Sequence, residues 1–278
     1  MLAVCRRIPS FDLTNRRTPI ITTARESEAQ QTPDEENNVQ IPLIPIQLID
    51  EQPTDRIGTK DLLWTGSDEQ NRRYALKTVE PNNKLLPLTE WLCYHLCGAA
   101  GILTPEFSVV TRIDGTPAFG SRWETEARQF SPARISDAEF TTWIAQTKAD
   151  ISGMFALDVF MPNVDRHFAN ILFVDTGARL RALAFDWSRT LLFQPWPWPA
   201  DCKSERSWNW LCTTGLQDVS TAENKLSRLR EMTGEKILQI LRAAPDFWRQ
   251  DFDIDSAALW WDANKDLRIE QALRLLKP

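Results

Sequence analysis

The chain has 278 residues, 42% of them hydrophobic and 25% charged, and a formal charge of −6. That composition excludes wholesale disorder, and the length allows two lobes around a cleft, because single cores tend to divide beyond roughly 250 residues. The acidic balance argues against a nucleic-acid-binding surface, which needs clustered Lys and Arg.

Residues 24–38 hold almost no large apolar side chains and cannot offset the entropy of ordering, so residues 1–38 are expected to form a flexible tail. The runs at 41–49, 60–66 and 72–80 then predict three strands separated by Gly58 and the polar turn at 67–71. Pro87 opens a helix with Leu88, Leu92, Leu96 and Ala99 on one face, ended by Gly98 and Gly101. Two more strands, 105–113 and 116–123, join at Asp114-Gly115, a strong hairpin signal. These elements predict an antiparallel β-rich unit over residues 39–124.

Residues 125–278 are expected to be mainly helical. A polar stretch from Glu124 to Arg134 leads into the capping box Ser136-Asp-Ala-Glu139 and a helix toward Met161, with Phe140, Ile144, Ile151 and Phe155 as candidate core. A short hairpin follows, 170–174 and 180–185 around Thr176-Gly177. A second capping box, Ser220-Thr-Ala-Glu223, starts the remaining helices, which break at Gly234 and Pro245. The fold class is therefore α+β.

Asp165 stands five residues before Asn170, and Asp186 follows the second hairpin strand. Phosphoryl transfer needs a carboxylate to orient and deprotonate the attacking hydroxyl, an amide oxygen for one Mg²⁺, and a second carboxylate for the metal bridging the phosphates. Asp165, Asn170 and Asp186 suit those roles in that order. Upstream, Lys77 ends a strand and Glu90 lies in the next helix, the arrangement of a strand lysine held against the phosphates by a helix glutamate. No Gly-x-Gly-x-x-Gly is present, and Arg56-Ile-Gly58-Thr59-Lys60 is the phosphate-covering candidate. His167 is read either as a catalytic base or as a brace of the loop backbone, and Arg166 either as a contact to the segment after Asp186 or as a surface charge. Trp196 and Trp198 are read as a substrate platform or as loop packing.

The stretch Asn163-Val-Asp-Arg-His-Phe-Ala-Asn-Ile-Leu, followed by Ala184-Phe-Asp186, resembles the catalytic and metal-binding segments of HipA-like kinases and the related phosphatidylinositol kinases. Residues 74–124 are similar to the N-lobe of HipA-like kinase domains, and the resemblance spans roughly residues 40–275. It implies a two-lobed protein-kinase-like fold, use of ATP and Mg²⁺, and phosphorylation of Ser or Thr on a protein substrate, autophosphorylation included. An antitoxin-like partner is also implied, as in toxin-antitoxin systems. The alternatives are a catalytically silent nucleotide- or partner-binding module and a lipid or small-molecule kinase. Asp186 is followed by Trp187-Ser188 where kinases of the conventional type carry Phe-Gly.

Five cysteines at irregular spacing suit reduced thiols, and with only His95 and His167 a histidine-based zinc site is not expected. No apolar run approaches the ~20 residues that cross a bilayer, so no membrane partner is expected and a cytoplasmic location is.

Overall fold

The computed structural model describes residues 45–54, 62, 64–131, 133–190 and 196–277. All belong to the compact unit Val39–Pro278. The predicted tail and the Gly58-Thr59 loop lie outside the described residues.

Five strands close into a barrel in the order β1 (Ile46–Pro53), β2 (Trp64–Asp68), β3 (Arg73–Lys77), β5 (Pro117–Arg122), β4 (Phe107–Thr111). The hairpin signal at Asp114-Gly115 marks the β4–β5 turn, where Gly115 takes the left-handed conformation at φ 82°. The expectation of a wholly antiparallel sheet needs correction, because β1 meets β4 in parallel, Ile46 opposite Val110. That pair brings together strands distant in sequence, and no local turn signal reports it. Inside the barrel Leu48, Tyr74, Leu76, Val110 and Ala118 form a small core. A methyl group at Gly66 would sit 2.7 Å from Leu48 Cδ1, and one at Gly120 2.6 Å from Val110 Cγ1, so this interior has no space for side chains there.

Helix α1 (Leu86–Ala100) follows β3, with proline in its first turn and Gly101 ending it at φ 68°. The predicted stripe Leu88, Leu92 and Leu96 is fully buried, but so are Trp91, Cys93 and Cys97 on other faces. The helix is thus a central rod, where a one-faced surface helix was expected. Trp91 Nε1–H donates to the Ile240 carbonyl at 2.8 Å, tying the rod to the helical part.

Helix α2 (Asp137–Phe160) is capped as predicted, with the Ser136 hydroxyl accepting from Glu139 N–H at 3.3 Å. Phe140, Ile144, Ile151 and Phe155 are all buried. Strands β7 (Ile171–Asp175) and β8 (Leu180–Ala184) form the expected hairpin. A two-residue strand, β6 (Arg128–Gln129), joins β7 from within the stretch read as merely polar.

The remaining helices are α3 (Lys203–Thr213), α4 (Val219–Arg228), α5 (Gly234–Ala243), α6 (Asp246–Arg249) and α7 (Ile254–Leu276). The second capping box is misplaced by two residues: Asp218 is the cap of α4, accepting from Thr221 N–H at 3.0 Å, and Ser220 is already helical. Gly234 opens α5 behind the Thr233 cap, and its N–H donates to Asp262 of α7 at 2.6 Å. Among the described residues, no helix is long and apolar enough to cross a membrane.

Candidate active site

Three of the predicted residues meet where β3, α1 and the end of β8 converge. Lys77 ends β3 opposite Phe119 of β5, next to Leu76 of the barrel core, and its side chain meets Glu90 of α1. Its Nζ lies 3.1 Å from Asp186 Oδ1 and 3.8 Å from Glu90 Oε1, and all three residues are almost completely shielded from water. Glu90 also accepts the Trp187 N–H at 3.0 Å. The lysine is closer to the aspartate than to the helix glutamate that was expected to hold it.

The electrostatics differ between the two carboxyls. Burial raises Glu90 to about 7, and Lys77 only partly counteracts it. Burial also works against ionised Asp186, but the Lys77 ammonium and the hydroxyl and N–H of Ser188 outweigh it and hold that carboxyl at about 2. Asp186 is therefore ionised throughout the physiological range. Its backbone is left-handed, φ 63°, a conformation that Asp and Asn tolerate better than most residues.

The hairpin sets the distance between the two predicted metal ligands. Ile171 pairs with Ala184, so Asn170 and Phe185 face each other just beyond the ladder, with Asp186 next along the chain. Asn170 is buried, and its Nδ2 donates to the Asp165 carbonyl at 3.2 Å. That leaves its amide oxygen to accept or ligate. Asp165 is more open, and its Oδ1 is 2.7 Å from Lys203 Nζ at the start of α3.

The brace of this loop is Arg166, which is fully buried and no surface charge. It donates to both Asp158 oxygens, at 2.8 and 3.2 Å, to the Asn170 carbonyl at 2.9 Å and to the Phe185 carbonyl. It also lies 4.7 Å from the centre of the Trp187 ring. One guanidinium thereby ties the loop to the residues on either side of Asp186. His167 is half-buried, and burial followed by the nearby Lys203 ammonium lowers its pKa. Its carbonyl accepts Asn170 N–H at 2.8 Å.

Sequence reasoning missed Asp158 and Ser204 and gave Asn163 no role of its own. Asn163 Nδ2 donates to Asp158 at 2.9 Å, while the Ser204 hydroxyl accepts Arg166 N–H at 2.7 Å and donates to the Asn163 carbonyl. A signal for Asp158 existed: it is a lone carboxylate in the apolar run Met154–Met161, where a charge survives only with a partner.

The structure decides between the two readings of the tryptophans after Asp186 in favour of packing. Trp196 and Trp198 donate their indole N–H groups to the Val159 and Asp158 carbonyls, at 2.9 and 2.8 Å. Trp208 is buried, and Trp210 packs against Phe140 and Phe168. These indoles close the carbonyl end of α2 and fill the core, and so do not form an aromatic docking platform. A proline-stiffened run can dock inward as readily as outward, and sequence alone does not choose.

The chemistry of the donor set fits a hard divalent cation. Among the described residues no group of three or more acidic, His or Cys side chains could hold a metal unaided. A cation here would be held by the Asp186 carboxylate and the Asn170 amide oxygen together with phosphate oxygens, the mixed set that Mg²⁺ accepts.

A barrel of five strands with one inserted helix, then a helical part opening on a loop and hairpin, gives the chain a kinase-like fold by its similarity to solved structures. The crystal structure of the proinflammatory kinase CtkA of Helicobacter pylori is similar at a TM-score of 0.50 and 14% identity, over 84% of this chain and 98% of that one. HipA of the Shewanella oneidensis toxin-antitoxin system, solved with HipB and operator DNA, gives a TM-score of 0.46 at 11% identity, over 84% of this chain and 66% of that one. An aminoglycoside phosphotransferase of Alicyclobacillus acidocaldarius gives 0.35 at 12% identity, over 87% and 98%. No family model and no curated protein sequence matches the chain.

Proposed function

We propose that this protein is a phosphotransferase that uses ATP and Mg²⁺ to phosphorylate a Ser or Thr hydroxyl of a protein, its own chain included. The observation that carries the reading is the buried Lys77–Glu90–Asp186 cluster joined through Arg166 to the Asp165–Asn170 loop. In this reading residues 39–124 form the nucleotide lobe and 125–278 the acceptor lobe.

Lys77 leaves Asp186 to hold the α and β phosphates, and Glu90 keeps the ammonium oriented. Asp186 and Asn170 hold Mg²⁺, which when bound supplies positive charge to the phosphate oxygens. Asp165 orients the acceptor hydroxyl and takes its proton. His167 lines the same loop, and Arg166 fixes the spacing between Asn170 and Asp186.

The acceptor class rests on charge. The segment from Trp187 to Thr214 carries Arg189, Lys203 and Arg206 against Asp201 and Glu205, a net of +1 from three minus two. An inositol phosphate headgroup calls for clustered cations, and a cationic antibiotic for an excess of carboxylates. The segment offers neither, which leaves a neutral hydroxyl on a polypeptide. An antitoxin-like partner follows from the HipA-like sequence resemblance. Incubation with labelled ATP, Mg²⁺ and a cell extract tests the reading: labelled protein, absent in the Asp165→Ala variant, is expected. Labelled inositol lipid or aminoglycoside with no labelled protein would overturn the acceptor.

A further inference from the structure

The first turn of α3 is fastened to the candidate catalytic loop on both sides of Asp165. Ser204, fully buried, accepts the N–H of Arg166 at 2.7 Å and donates to the carbonyl of Asn163. The Cys202 thiol caps the same turn, accepting Glu205 N–H at 3.4 Å. Lys203, between the two, is thereby fixed at its backbone beside Asp165, with Nζ 2.7 Å from Oδ1. Its side chain is 50% exposed and that of Asp165 is 32% exposed, in contrast to the enclosed Lys77 pair. Such an open pair separates at small cost. The other charges on the turn are occupied nearby: Arg206 pairs with Asp201 at 3.4 Å, and Glu205 accepts Asp201 N–H.

We propose that Lys203 is a further catalytic residue of the transfer, neutralising Asp165 while the cleft is empty and moving to the oxygens of the transferring phosphoryl group when ATP is bound. The inference rests on the phosphotransferase reading. The group that takes the acceptor's proton stands next to the attacking oxygen, so a cation in contact with it is within side-chain reach of the phosphorus that oxygen attacks. In the step itself, the bond from the γ-phosphorus to the β–γ bridging oxygen breaks and its electron pair leaves with ADP. A bond forms between that phosphorus and the acceptor oxygen, and the hydroxyl proton passes to Asp165. Lys203 gives up no proton; it counters the negative charge spread over the three transferring oxygens. Lys77 lies at the other carboxylate, so the two lysines divide the triphosphate between them.

The test compares binding of a non-hydrolysable ATP analogue and of ADP by calorimetry with Mg²⁺, for the full chain and for Lys203→Met and Lys203→Arg. The full chain is expected to prefer the analogue. Lys203→Met should lose about tenfold in analogue affinity with ADP affinity unchanged, the loss of one charge-assisted contact, and its kcat should fall further. Lys203→Arg should restore most of both. If the methionine variant keeps the analogue preference and kcat of the unaltered chain, or weakens both nucleotides equally, the role of Lys203 is refuted while the phosphotransferase reading stands. If the unaltered chain binds neither nucleotide, both fall.

Discussion

Replacing Arg166 with methionine strands the Asp158 carboxylate in a place no water reaches. Breaking one side of a fully buried ion pair costs about 3–5 kcal/mol, because desolvation of the remaining charge is no longer offset. The carbonyls of Asn170 and Phe185 lose their donor as well, which adds about 1–3 kcal/mol for each that stays dry. Methionine retains part of the dispersion contact with Trp187, so the lower end of the summed terms, about 5 kcal/mol, is expected. Against a total stability of about 5–15 kcal/mol that is a large share. With a urea m-value near ~3 kcal/mol/M, the unfolding midpoint, followed by tryptophan fluorescence, should fall by about 1.5–2 M. The double variant Asp158→Asn/Arg166→Met removes the stranded charge and keeps the Asn163 contact, so it should be more stable than Arg166→Met alone. A carboxylate without its partner escapes by protonation, so the single variant's deficit should shrink from pH 8 to pH 5. A loss below about 1 kcal/mol, with the double variant no better than the single, would refute the bracing role.

Asp186→Ala should abolish Mg²⁺-dependent nucleotide binding in calorimetry, whereas Asp165→Ala should leave binding and remove transfer; unaltered affinity in the Asp186 variant would reverse the assignment. Because burial raises Glu90 from an ordinary 4.5 to about 7, the folded state holds a proton there that the unfolded state has released. That contribution is fully present below the unfolded value and is lost as pH rises through about 7. Glu90→Gln should therefore gain thermal stability relative to the unaltered chain between pH 5 and pH 8, and a Tm difference constant over that range would exclude the shift. Gly234→Ala would set a methyl group 2.5 Å from the Ala258 carbonyl and should cost about 1–3 kcal/mol. Gly98→Ala in the exposed part of α1 meets nothing and should gain about 0.5–1 kcal/mol, so that equal midpoints for these two variants in urea would contradict the packing described.

What was legible in the chain was whatever is encoded over a few residues. The Asp114-Gly115 turn, the Ser136 cap, the β7–β8 hairpin and the buried face of α2 are each written in adjacent positions, and the structure has each of them. Asp165, Asn170 and Asp186 lie in two short segments joined by that hairpin, so their nearness in the fold was legible for the same reason. What escaped depends on pairs brought together by the fold. The parallel β1–β4 closure, the two-residue strand β6 and the Lys203–Asp165 contact involve partners distant in sequence or too short to show a period. Trp196 and Trp198 stayed ambiguous in the sequence because their composition suits either an outward platform or an inward seal, and the carbonyls at the end of α2 decided for the seal.

The left-handed backbone at Asp186 subjects one position to two separate filters. Conformation admits glycine, asparagine and aspartate there cheaply, while charge beside Lys77 admits only aspartate and glutamate. The two sets overlap in a single amino acid. The substitution that preserves charge, Asp186→Glu, strains the main chain, and the one that preserves the main chain, Asp186→Asn, leaves the lysine facing an uncharged amide. No single-residue replacement therefore offers a mild intermediate at this position, and its mutational profile should be all or nothing.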